Sequence, residues 1–313
     1  MHSLGGTRFR ASMDMQKHVP PLLWLNLVCL DAPLVAIAWL GLFARTFGIL
    51  LRLGNCVALF LTAWLIYLAD RLADALALQP NLPRSLRQDF CLRHREIWIA
   101  TVALVGGFDA YVIWRSTATG TFLAGAVVGA LAVIYLVLNH PLGVIWRALP
   151  AKELAIGILF AAGTVVALLP HLPLTPTFAI AGIAFAALCS LNCIGIANWE
   201  RELDRTQGKV SIATRHPRVA EVVGNVCLLL AFVGLILAIF VRTDGPFFGC
   251  IALSGLLLGW LNASPSIKEG RFTNRPRSRN GGINRRSLGT DQRTALADLV
   301  LLTPIVALII MAL

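Results

Sequence analysis

Two short phrases in this chain carry residues able to do chemistry: Asp70-Arg71-Leu72-Ala73-Asp74 and Glu200-Arg201-Glu202-Leu203-Asp204. Both read acid–Arg–x–x–Asp. Carboxylates four residues apart lie on one face of a helix, one turn above another. Their hard oxygens suit Mg²⁺, which takes one or two protein carboxylates and completes its shell with water and phosphate oxygens. Basic residues come soon after each phrase: Arg84, Arg87, Arg93 and Arg95 after the first, Arg205 and Lys209 after the second. Guanidinium groups hold phosphate through paired hydrogen bonds. Gly208 allows a tight backbone turn that would bring Lys209 back toward the acids. The pattern therefore points to divalent metal and diphosphate. The simpler alternative is an interfacial ion pair within each helix, Asp70 with Arg71 and Asp204 with Arg205.

Long apolar segments must position these phrases. Of 313 residues, 57% are hydrophobic and 14% charged, where a soluble domain of this size carries about a quarter charged. The charges fall in short stretches between apolar runs, the mark of membrane helices. The reading is an all-α, polytopic membrane bundle. Nine transmembrane spans are expected, near 20–43, 54–74, 97–115, 120–139, 153–170, 176–198, 219–241, 245–263 and 295–313. No span is interrupted in its middle on this reading. Of the 27 Lys and Arg residues, all but Arg45, Arg52, Arg115 and Arg242 fall in alternate loops on one side. By the positive-inside rule that side is cytoplasmic, giving an N-in, C-out protein of the cell's inner membrane with a cytoplasmic active side. Spans 2 and 6 then deliver both acidic phrases to that side, over one cavity.

The same charge pattern excludes nucleic acid as the partner of the net charge of +11 and assigns it to the lipid bilayer. Residues 1–19 form a cytoplasmic tail, 20–313 a single transmembrane domain, and 265–293 a basic, mobile loop beside anionic head groups. Seven cysteines without a CxxC pair read as buried thiols. Polar residues inside spans (Asn26, Asp31, Asp109, Asn192 and Asp298) must face the bundle interior. Asp31 and Asn192 are candidates to contact an acceptor or take up a proton, Asn192 and Asn198 to serve as neutral metal ligands, and Lys152-Glu153 is the expected cavity edge. Trp64, Trp98 and Trp199 read as interfacial anchors.

In this arrangement the chain resembles the UbiA-type superfamily of intramembrane prenyltransferases, as a divergent member. That family has nine membrane helices, an NDxxDxxxD motif ending the second and a DxxDxxxD motif ending the sixth. Here the first reads Ile66-Tyr67-Leu68-Ala69-Asp70-Arg71-Leu72-Ala73-Asp74. The second reads Ala197-Asn198-Trp199-Glu200-Arg201-Glu202-Leu203-Asp204, with Gly208 after it. The stretch from His140-Pro141 through Arg147, Pro150, Lys152 and Gly157 resembles the segment joining helices four and five. Ile66, Tyr67 and Ala197 replace the opening polar residues, and Glu200 replaces an Asp, so each motif keeps its last two acids. The resemblance implies Mg²⁺ on Asp70, Asp74, Glu200 and Asp204. It implies a polyprenyl diphosphate held by Arg71, Lys209, Lys152 and Arg205, and transfer to a lipophilic, often aromatic acceptor. A non-catalytic isoprenoid-binding member of the fold and a membrane transporter are the alternatives.

Overall fold

The computed structural model describes residues 21–139, 152–171, 175–241, 244–263 and 285–312. The expected tail over 1–19, the stretch with His140, Arg147 and Pro150, and most of the expected 265–293 loop lie outside the described residues. Among the described residues the chain is helical throughout: α1 Pro21–Leu27, α2 Asp31–Thr46, α3 Leu53–Leu76, α4 Leu86–Arg93, α5 Arg95–Ser116, α6 Thr119–Asn139, α7 Lys152–Val165, α8 Pro176–Trp199, α9 Arg201–Thr206, α10 Ile212–Arg215, α11 Pro217–Phe240, α12 Gly245–Ala263, α13 Arg285–Val300 and α14 Thr303–Ala312.

Among the described residues, seven helices are long and apolar enough to cross a bilayer: α3, α5, α6, α8, α11, α12 and the run Gly289–Ala312 that joins α13 to α14. Large apolar side chains such as Trp114, Phe232, Phe240 and Ile310 stand exposed on their outer faces. An apolar exterior of this extent fits a multi-pass membrane protein, whose spans satisfy their backbone internally.

Three expectations are corrected. The first expected span is not continuous: it breaks between α1 and α2, where Cys29 takes a left-handed φ of 59°. Proline explains the break. The ring of Pro33 would collide with the carbonyl of Cys29 in an unbroken helix, so the helix restarts at Asp31 and Pro33 falls in its first turn. The same rule acts in the last span, where Pro304 stops α13 at Val300 and α14 restarts at Thr303. Second, the fifth expected span is α-helical only over Lys152–Val165, as α7, about 21 Å of helix. Third, the expected loop 265–293 overlaps α13, which begins at Arg285 and delivers Asp291 and Thr294 in helical register.

Side chains satisfy the backbone freed at both breaks. Trp64 donates its indole N–H to the Val28 carbonyl (3.0 Å), and Trp39 donates to the Leu301 carbonyl (2.8 Å). Ser254 Oγ donates to the Val300 carbonyl at 2.9 Å. Trp64 is thus a strut within the bundle rather than an interfacial anchor, and Trp98 is buried too. Around Trp39 sits an aromatic core: its ring stacks on Phe185 at 4.5 Å and meets Phe247 edge-on at 5.4 Å, while Phe43 touches Phe178, Phe185 and Phe247. Such ring pairs contribute about 0.5–1.5 kcal/mol each beyond burial. Alpha8 is the central element, packed on α7, α11, α12 and α13. Gly157 makes the α7–α8 approach possible, because a Cβ there would lie 2.3 Å from Ser190 Oγ.

Candidate functional site

The first motif stands on the unbroken last turns of α3. Asp70, Arg71 and Asp74 are half-buried there. The second motif straddles a joint. Alpha8 ends at Trp199, Glu200 links it to α9, and the Asp204 N–H still reaches the Glu200 carbonyl at 2.8 Å. Alpha9 then ends in a Schellman turn: Gly208 N–H bonds the Arg205 carbonyl (3.2 Å) and Lys209 N–H the Asp204 carbonyl (2.8 Å). Gly208 carries the positive φ of 69° this turn demands. The reversal sends Lys209 back across the mouth, where Nζ lies 2.7 Å from Asp74 Oδ2.

A reciprocal bridge runs the other way. The loop after the first motif forms α4, started by a capping box between Ser85 and Gln88. Arg87 of this helix is buried and pairs with Glu200 of the second motif. Each motif therefore has one acid held by a cation from the loop beyond the other. Gln207 strengthens the seam, donating to the Pro83 carbonyl (2.8 Å) and to Gln88 Oε1 (3.0 Å). From α13, Asp291 Oδ2 accepts the Leu86 N–H at 3.3 Å and Thr294 Oγ1 donates to Glu200 Oε1 at 3.4 Å.

Lys152 and Glu153 open α7 at the same mouth. Buried Glu153 accepts the Ile212 N–H at 3.3 Å, which caps α10 and fixes Lys152 near Asp204. Burial pushes the Asp204 carboxyl up to about 6; Lys152 opposes the rise and Glu200 adds to it. Burial also lifts the Cys91 thiol to about 11 against the pull of Arg71, so this cysteine is protonated at neutral pH and is no nucleophile. Tyr135 of α6 lies within electrostatic range of Asp70, Asp74 and Glu153, which ties Asp70 to the same mouth.

Arg71 turns toward Tyr67, donating to its hydroxyl with the guanidinium 4.8 Å from the ring centre. Tyr67 occupies a position where the resembled motif has Asp. Arg71, Asp74, Arg87 and Gln88 line a small polar cavity that extends inward to Asn26 and Cys29. Among the described residues, Arg71 Nε and the Nε and Nη1 of Arg87 are buried without a hydrogen-bond partner, three donor nitrogens suited to an anion.

No family model, characterised protein or solved structure matches the chain. The geometry alone must therefore carry the functional reading.

Of the residues expected at the site, Asp70, Asp74, Glu200, Asp204, Arg71, Lys152 and Lys209 come together at this mouth. Arg205 does not: it is exposed and lies 3.7 Å from Glu202. Asn198 sits half-buried in the last turn of α8, and Asp31 and Asn192 lie deeper, in a cluster of their own. Arg87, expected as a phosphate ligand in the loop after the first phrase, instead pairs with Glu200; Asp291 and Thr294 were not expected at the mouth. The Ser85-x-x-Gln88 box signalled the helix that places Arg87, and the three-residue spacing of Asp291 and Thr294 signalled one helix face.

The carboxylate oxygens of the two motifs fit a hard divalent cation in kind. Among the described residues, no three His, Cys, Asp or Glu side chains are gathered as a formed metal site. Holding a metal requires Lys209 and Arg87 to release the acids they now pair.

Proposed function

We propose that the protein is an intramembrane prenyltransferase that moves a polyprenyl group from its diphosphate to a lipophilic acceptor of the aromatic class. One observation carries the reading: the reciprocal pairs Lys209–Asp74 and Arg87–Glu200, which join the two acidic motifs around one mouth. The reading includes nine membrane crossings, with α1–α2 and α7 as the first and fifth, and an N-in, C-out orientation that turns the mouth to the cytoplasm of the cell's inner membrane.

In this reading Asp70, Asp74, Glu200 and Asp204 would hold Mg²⁺, which would supply charge neutralisation for the departing diphosphate. Lys209 and Arg87 exchange their carboxylate partners for diphosphate oxygens, and Arg71 and Lys152 complete the basic wall. The C–O bond to the prenyl carbon breaks with its electron pair leaving on diphosphate. The acceptor forms the new bond and gives up a proton. Fixed cations aimed at the developing charge lower the barrier to that ionisation. The test is Mg²⁺-dependent diphosphate release from a polyprenyl diphosphate by the full-length protein in nanodiscs. Asp74→Ala and Asp204→Ala are expected to reduce it at least about 100-fold; release that survives both substitutions overturns the mechanism.

A transporter reading has one observation in its favour, the proline-driven breaks beside buried acids in the first and last spans. Substrate-dependent flux in sealed vesicles, without diphosphate release, would select it.

A further inference from the structure

The two helix breaks gather four polar side chains inside the bundle, away from the acidic motifs. Asn26 of α1 donates through Nδ2 to Asp31 Oδ2 at 2.6 Å and to Asp298 Oδ2 at 3.3 Å. Asn192 of α8 donates to Asp298 Oδ1 at 2.9 Å. The amide of Asn26 thus bridges the two carboxyl groups. Asp31, Asn26 and Asn192 are 1%, 2% and 4% exposed.

Two anionic carboxylates that share one amide donor, one of them almost fully buried and the other half-buried, repel each other unless a positive charge lies between them. The titratable groups facing them are Cys29, Tyr67, Arg71, Cys189 and Cys193. Only Arg71 among these is a cation, and its hydrogen bond goes to the Tyr67 hydroxyl. The amide geometry then separates the two ways of supplying charge. Asn26 and Asn192 point N–H groups at three of the carboxyl oxygens, and the Ala32 N–H bonds the fourth, Asp31 Oδ1, at 3.0 Å. These donors favour carboxylates and occupy lone pairs that a metal ion would need, so a single proton is the smallest charge that relieves the pair. Asn192 Oδ1 is buried and lacks a partner among the described residues, an acceptor placed beside Asp298 for an O–H.

We propose that Asp31 and Asp298 form a proton-binding site that holds one shared proton inside the bundle. Asn26 also lines a small cavity together with Arg71, Asp74 and Arg87. The inference does not depend on what the mouth binds. It also gives the helix breaks a purpose: Pro33 and Pro304 interrupt the two helices that contribute the acids, close to the pair.

The test is infrared spectroscopy of the full-length protein in nanodiscs, labelled with ¹³C-carboxyl aspartate, at a pH well above that at which Asp204 ionises. A protonated-carboxyl C=O band is expected in the wild type. It should be lost in Asp298→Asn, shift in frequency in Asn192→Leu, and persist in Asp109→Asn. Replacing choline chloride by sodium chloride at fixed pH should leave it unchanged. Absence of the band in the wild type overturns the proposal. So does its removal by sodium, which would mark a metal-cation site. Should Asp298→Asn fail to fold, a band unmoved by Asn192→Leu is equally fatal.

Discussion

The ends of α3 and α8 carry nearly the same five-residue phrase, yet fold differently. In α3 the phrase is continuous helix, with both acids on one face and the chain running on to Leu76. In α8 the first acid, Glu200, is the joint itself, and the second belongs to a six-residue helix closed by a Schellman turn. The difference lies in the residues just beyond each phrase: Ala75 and Leu76 prolong one helix, whereas Gln207 and Gly208 end the other. The shared phrase supplies the charges. The unlike continuations supply the reach, a short cross-helix carrying Arg87 on one side and a hairpin turn carrying Lys209 on the other.

If the two regions are halves of one site, damage to either should be equally severe, and the largest expected effect is on turnover. Asp70→Asn and Asp204→Asn should each reduce Mg²⁺-dependent diphosphate release at least about 100-fold; a loss confined to one motif would break the equivalence. Next in size is the seam. Arg87→Leu leaves Glu200 without its cation in a largely buried position, and should destabilise the fold by about 2 kcal/mol. The double variant with Glu200→Gln should recover part of that loss in unfolding measurements in detergent. Additive losses would mean that the two side chains do not couple.

Smaller effects separate the halves. Gly208→Ala forces a Cβ into the left-handed region and should cost about 1 kcal/mol. Asn tolerates that region better, so Gly208→Asn should cost less; equal losses would show that the turn geometry is not the cause. Asp204 sets a pH dependence. Its carboxyl binds a proton more tightly in the folded protein, near 6, than at its ordinary 3.8. Its contribution to stability is therefore present at low pH and lost as pH rises from about 4 to about 6. Mg²⁺ affinity should move the opposite way, rising through the same interval as the carboxylate forms. Asp204→Asn should flatten both profiles; titrations with the inflections still in place would assign them elsewhere. The smallest effect expected is that of Thr294→Val, about 0.5 kcal/mol, for the lost bond to Glu200.

Much of this architecture was legible in the sequence because it is written locally. Apolar runs marked the long helices, and loop charges placed both phrases on one side. Gly208 announced the turn that returns Lys209, and the structure has that turn and that contact. What escaped was of two kinds. Some signals were present but outweighed by hydropathy: Pro33 and Pro304 each forbid a continuous helix four residues upstream, yet both sit in runs apolar enough to read as unbroken spans. Others had no local signature. The bond between Arg87 and Glu200, or between Asn26 and Asp298, depends on which helices become neighbours, and no short window of sequence contains that.

The reciprocal pairing also bears on how the protein is made. Glu200 meets a partner 113 residues earlier in the chain, and Asp74 one 135 residues later. During synthesis Asp74 must wait for that cation while α5, α6, α7 and α8 are made, until Lys209 emerges. The mouth is thus a late event in biogenesis. A chain truncated before Gly208 would present Asp74 at the membrane surface without the lysine that neutralises it, a ready mark by which quality control could tell an unfinished bundle from a finished one.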